Sequence, residues 1–209
     1  MGSSQSRSGV VAGVLVLGAL GLVAAEVSGL THTLESIRGA LLGGSSDTTE
    51  TVADGTIDPV GGTIPTRPSA AVAMIVEHVH DGDTLFLRTA QANTLVATTD
   101  AVKVRLLGID TPEVGDRAEC FGDQATEQLR TLLPDSSRTW ITADQDPADQ
   151  YGRSLFYLWT EDGSFVNYEL VARGAAESVM IAPNDAYYPL LRAAEDAARA
   201  AGAGMWGVC

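Results

Sequence analysis

Lysine is almost missing from this chain. Lys103 is the only one in 209 residues, so arginine carries nearly all of the positive charge. Acidic residues outnumber basic ones 27 to 13, giving a formal net charge of -14. That balance excludes a protein that gathers polyanions over a diffuse basic surface, because its long-range field opposes their approach. Cysteine is equally scarce, with only Cys120 and Cys209 present. Cysteines this sparse do not make a zinc site. They are either two unrelated thiols or, in an exported protein, one disulfide. Closing a loop of about 90 residues would stabilise the fold by roughly 4–5 kcal/mol in the chain-entropy model. No internal repeat is apparent.

One uncharged apolar run is present, from Gly9 to Ala25, preceded by Arg7 and followed by Glu26. Its length lies between the core of a signal peptide and a short membrane span. Val23-Ala24-Ala25 resembles a signal-peptidase site, and the flanking charges keep the N-terminus cytoplasmic. Residues 1–25 are therefore expected to be a cleaved signal peptide or a retained membrane anchor; a buried core helix is the third reading. The first two place the rest of the chain outside the cell, secreted or tethered through residues 9–25. Residues 26–69 are expected to be a short amphipathic segment followed by a flexible acidic linker rich in Gly, Ser, Thr, Asp and Pro.

Residues 70–209 are expected to form the folded domain. Ala71 to His80 and Thr84 to Arg88 read as strands joined by the tight turn Asp81-Gly82-Asp83. A polar loop, 89–100, leads to a third strand through Val104. A helix from Phe121 to Leu133 ends at Pro134, and strands follow at Arg138–Ala143 and Leu155–Trp159. Two more helices are expected, Phe165–Arg173 stopped by Gly174 and Tyr187–Ala201 capped by Asp185. This order predicts an α+β domain: an OB-like, five-stranded β-barrel with three helices packed outside.

The third strand carries the most informative stretch, Val104-Arg105-Leu106-Leu107-Gly108-Ile109-Asp110-Thr111-Pro112-Glu113. A buried apolar run opens into two carboxylates and a proline that stops the strand. In a regular strand, Arg105, Leu107 and Ile109 share one face, and Leu106, Gly108 and Asp110 the other. Two further islands, Asp81-Gly82-Asp83-Thr84 and Tyr151-Gly152-Arg153, also place charged groups at strand ends. Asp83 and Asp110 are hard oxygen donors of the kind that suit calcium or magnesium. Two arginines, a divalent cation and a glutamate meet the needs of phosphodiester hydrolysis. His78 and His80 read as solvated or supporting residues rather than a metal pair. Trp140, Trp159 and Trp206 read as core or rim rather than a stacking platform.

Together these islands resemble the staphylococcal nuclease (thermonuclease) family over roughly residues 71–206. The likeness rests on Val79–Thr84, Val104–Glu113, Phe121-Gly122 with Ala125, Asp149–Leu155, Asn167, Gly174 and Gly204-Met205-Trp206. The resemblance implies an OB-fold nuclease that uses Ca2+. It would hydrolyse DNA and RNA at the 5′-oxygen–phosphorus bond and leave 3′-phosphates. By position, Asp83, Asp110 and the Thr111 carbonyl would hold the metal, supported by Asp81. Glu113 would be the general base or the group that positions the attacking water, Arg105 and Arg153 would clamp the scissile phosphate, and Tyr151 would contact a terminal phosphate. The chain departs from the family's best-known member in a longer loop before Arg105 and a shorter one after Glu113. It has Val179 and Ile181 where tyrosines flank the base there, and Gln150 where a lysine stands there. Some secreted relatives are similar in having a pair like Cys120 and Cys209. The implied partner is nucleic acid; no obligate protein partner is expected. The competing reading is an exported OB-fold module that binds nucleic acid or protein without cutting. Residues 71–209 carry 21 acidic and 10 basic residues. Nucleic-acid binding therefore needs either a local cationic patch or high salt to screen the repulsion.

Overall fold

The structure is a computed structural model and describes residues 63–209. The expected signal or anchor and residues 26–62 of the expected linker lie outside the described residues. Among the described residues, no helix is long and apolar enough to cross a membrane.

Five strands close into a barrel: β1 (Val72–Val79), β2 (Thr84–Arg88), β3 (Val102–Leu106), β5 (Arg138–Thr142) and β6 (Ser154–Trp159), in the order β1-β2-β3-β6-β5. Only the β3–β6 pair is parallel. Closure leaves none of these strands with a free edge. The inward positions follow the period of two: Met74 and Val76, Leu85 and Leu87, and Val104 are all buried. Helices α1 (Gly122–Leu132), α2 (Val166–Ala172) and α3 (Tyr188–Ala201) pack outside, with one further turn, α4 (Met205–Val208). The α+β, OB-like barrel with three helices expected from the element order is the observed fold.

Several local expectations change. The 89–100 loop is not purely polar. Val96 plugs the core, held by the Asn93 side chain, which accepts hydrogen bonds from the Leu95 and Val96 amides at 2.9 and 2.8 Å. Asp185 does not cap α3: Tyr187 holds that position without a side-chain bond, and the Asp185 carbonyl accepts the Tyr188 amide instead. Contacts also extend upstream of residue 70. Ile64 packs against the core, and the Arg67 guanidinium lies 3.9 Å from the centroid of the Trp140 ring.

The largest correction concerns Val104–Glu113. It is not one regular strand. β3 ends at Leu106, a turn occupies Leu107-Gly108, and Ile109–Asp110 forms a separate short strand, β4, paired with β7 (Glu177–Ser178). Gly108 makes the turn possible with a φ of 76°, a region that costs a residue with a Cβ about 1 kcal/mol or more. Asn167, fully buried on α2, braces the turn. Its amide donates to the Leu107 carbonyl at 2.8 Å, and its oxygen accepts the Leu158 N–H at 3.0 Å. The turn cancels the alternation, so Arg105 and Asp110 meet instead of pointing to opposite faces.

Cys120 and Cys209 form a disulfide spanning 89 residues of sequence. It ties the segment before α1 to the end of α4.

A Cβ at Gly108 would lie 2.7 Å from Leu191 Cδ1 as well as requiring positive φ. Gly108→Ala should therefore destabilise the fold by about 1–3 kcal/mol. Denaturant unfolding checks this; an unchanged midpoint would contradict the assigned role of the turn.

Candidate active site

Arg105 is the fixed point of the site. It leaves β3 on the outer face of the barrel yet is 93% buried, because β4 folds back over it. Its guanidinium Nη1 donates to the carbonyls of Leu106 and Ile109 at 2.9 and 2.7 Å. Nη2 lies 3.1 Å from Asp83 Oδ2 and 2.5 Å from Asp110 Oδ1. One nitrogen thus bridges two carboxylates that lie 27 residues apart in the chain.

Asp83 is held from every side. Its Oδ2 accepts the Thr111 amide and hydroxyl at 3.0 and 3.1 Å, and its Oδ1 accepts the Thr84 hydroxyl at 3.0 Å. Asp81 accepts the Asp83 amide at 3.1 Å and so shapes the turn. Burial pushes the Asp83 carboxyl up to about 6; Arg105 opposes the shift, and the Asp81 charge adds to it.

Glu113 is exposed and is positioned through its backbone. Its amide donates to Glu119 Oε2 at 3.0 Å, and its carbonyl accepts the Glu119 amide at 2.9 Å. Gly122 allows this packing, since a Cβ there would sit 2.3 Å from the Glu113 carbonyl. The disulfide at Cys120 closes the same corner. Arg153 precedes β6 and is aimed by Asp149, whose Oδ2 accepts Nε at 2.7 Å and whose Oδ1 accepts the Arg153 and Tyr151 amides, each at 2.9 Å. Burial alone would raise the Asp149 carboxyl, but these bonds outweigh it and hold it below the usual range.

Asp81, Asp83, Arg105, Asp110, Thr111, Glu113 and Arg153 line one polar cleft of about 230 Å³. Tyr151 lies outside that lining. It is 76% exposed, with the Arg153 guanidinium 5.7 Å from its ring centroid. Three residues that sequence reasoning left without a role support the cleft: Glu119, Asp149 and Asn167. Asp149 had a readable signal, an aspartate two and four residues before amides it can accept. The other two had none.

A family model described as staphylococcal nuclease homologue matches residues 103–208. The chain is similar to the thermonuclease of Staphylococcus intermedius, 30% identical over 135 residues, covering 63% of this chain and 74% of that protein. It is also 33% identical over 154 residues to endonuclease YhcR of Bacillus subtilis (strain 168), covering 68% of this chain but only 12% of the much longer relative. The chain belongs to the staphylococcal nuclease family.

For a member of this family, the donor set can be tested against a divalent cation. Among the described residues, no three His, Cys, Asp or Glu side chains converge as a ready-made metal site. The Asp83 and Asp110 carboxylates do converge on one cationic nitrogen, and the Thr111 backbone follows directly. The side chains there offer oxygen donors only, a set that fits a hard divalent cation such as calcium or magnesium rather than zinc or copper. His78 and His80 do not join it.

The raised carboxyl at Asp83 gives a stability prediction with a definite sign. Between about pH 4 and pH 6, the unfolded chain has released this proton while the folded chain keeps it. Stability from this group is therefore full below pH 4 and is lost as pH rises through 6. In chelator, Asp83→Asn should gain on the parent as pH rises from 4 to 7, by about 2 kcal/mol in order of magnitude. Thermal melts across that range check it; a variant that loses ground with rising pH would refute the assignment.

Proposed function

We propose that this chain is an exported, calcium-dependent nuclease. It hydrolyses phosphodiesters of DNA and RNA at the 5′-oxygen–phosphorus bond and leaves 3′-phosphates. The observation that carries this reading is the single cleft in which Glu113, two arginines and two carboxylates meet. Asp83, Asp110 and the Thr111 carbonyl would hold calcium, with Asp81 bracing the turn that presents Asp83. When bound, the cation supplies positive charge against the scissile phosphate.

The chain's own groups do the rest. Glu113 accepts a proton from the attacking water, whose oxygen bonds to phosphorus as the bond to the 5′-oxygen breaks. The departing 5′-oxygen takes its proton from solvent. Arg153, whose Nε is taken by Asp149, presents Nη1 and Nη2 to the phosphate oxygens, where negative charge accumulates. Arg105, its Nη groups held by Asp83, Asp110 and two carbonyls, adds fixed positive charge beside them. Tyr151, out on the rim, contacts a terminal phosphate. The disulfide supports an oxidising, extracellular location, reached through residues 1–25 as a signal or an anchor.

Digestion of single- and double-stranded DNA and RNA, with calcium and then with chelator, tests this reading; no calcium-dependent cleavage at any salt concentration would overturn it. Glu113→Gln should lower the rate about 10²–10⁴-fold. Because Glu113 is exposed, its melting temperature should stay that of the parent. A variant that cleaves like the parent would remove Glu113 from the mechanism.

A further inference from the structure

The outer face of β1, β2 and β3 carries a second feature, next to the cleft but not part of it. His78 of β1 stacks on Phe86 of β2, with ring centroids 4.5 Å apart and planes within 19°. The Lys103 ammonium of β3 lies 5.9 Å from the centroid of the same Phe86 ring. The register places these three side by side, since His78 pairs with Phe86 and Phe86 with Lys103. On the next strand, Ser154 pairs with Val104, so Arg153 adjoins Lys103. An aromatic and cationic row therefore crosses neighbouring strands, from the rim of the cleft to His78. At about 4.8 Å per strand, His78 lies roughly 10 Å beyond Lys103.

Most cations are committed elsewhere. Among the described residues, eight of the ten arginines are in ion pairs with carboxylates of the chain, Arg67 lies over the Trp140 ring, and Arg117 is a further cation without an ion pair. Lys103, the one lysine, is in none, and its ammonium remains available to an external anion. His78 is exposed, with one ring face stacked on Phe86.

We propose that this row is a landing ledge for single-stranded nucleic acid outside the catalytic cleft. One base stacks on His78, backed by Phe86, and the adjoining phosphate pairs with Lys103. The ledge rests on the nuclease reading above. It gives an acidic protein a local point of attachment, where stacking is insensitive to net charge.

The test uses the full chain in chelator, so that nothing is cut, with fluorescence anisotropy of a labelled single-stranded oligonucleotide of about 12 nucleotides and of a labelled dinucleotide. His78→Ala should weaken the oligonucleotide about tenfold. Lys103→Ala should weaken it and reduce the slope of log affinity against log salt by about one. His78→Ala should leave the dinucleotide affinity as it was, because a dinucleotide in the cleft does not reach His78. The ledge is overturned if both variants bind the oligonucleotide like the parent, or if His78→Ala loses affinity equally for the two ligands. It is also overturned if the parent binds the oligonucleotide no better than the dinucleotide. Failure of the nuclease reading looks different: the parent shows the ledge-dependent binding and cleaves nothing when calcium is restored.

Discussion

The Arg105 guanidinium, held between two carboxylates and two carbonyls of its own chain, is the contact on which the site depends. A buried cation without partners would be untenable, and one with these four acceptors is fixed in position. To give it those acceptors, the chain must turn at Leu107-Gly108, return as β4 and bring Thr111 against Asp83. The same turn puts Glu113 at the mouth of the cleft. Removing any acceptor would expose a desolvation cost elsewhere, so the four groups form one unit rather than a set of separable bonds.

The buried carboxylate explains a second tension. Asp83 is kept out of water, where its charge is costly, yet it is placed where a cation would use that charge. Stability and chemistry thus pull in opposite directions at one residue. The acidic surface adds a related tension for a protein that handles polyanions. Most of its arginines are already committed to internal carboxylates. Arg153 is committed through Nε alone, and its Asp149 partner aims the rest of the guanidinium.

Much of the barrel was legible because closed sheets alternate inside and outside, and Leu85, Leu87 and Val104 report that period directly. Asp83, Arg105, Asp110, Glu113 and Arg153 stood out because charges at strand ends are unusual and their islands match a family pattern. The Leu107-Gly108 turn was hidden. An apolar run buried throughout looks like a strand whether or not it bends, and only Gly108 marked the break. β7 has two residues and no period to detect. Val96 was lost in a polar loop because a single plug has no pattern. Glu195, buried in an alanine-rich helix, accepts from the Ser178 amide and hydroxyl and pairs with Arg199. Long-range donors such as Ser178 cannot be seen from the helix alone.

The parallel pairing of β3 with β6 also bears on when the cleft comes into being. Arg105 lies on β3 and Arg153 directly precedes β6, strands whose register joins residues 50 apart, Val104 to Ser154. Contacts of that span form only after their loop-closure entropy has been met, late in the approach to the native state. A chain with its first hairpin made but its barrel open would hold Asp81 and Asp83 in a turn facing water, with no second arginine opposite. The proposed phosphate clamp thus needs the closed barrel, and partly folded forms would carry the residues of the site without the site.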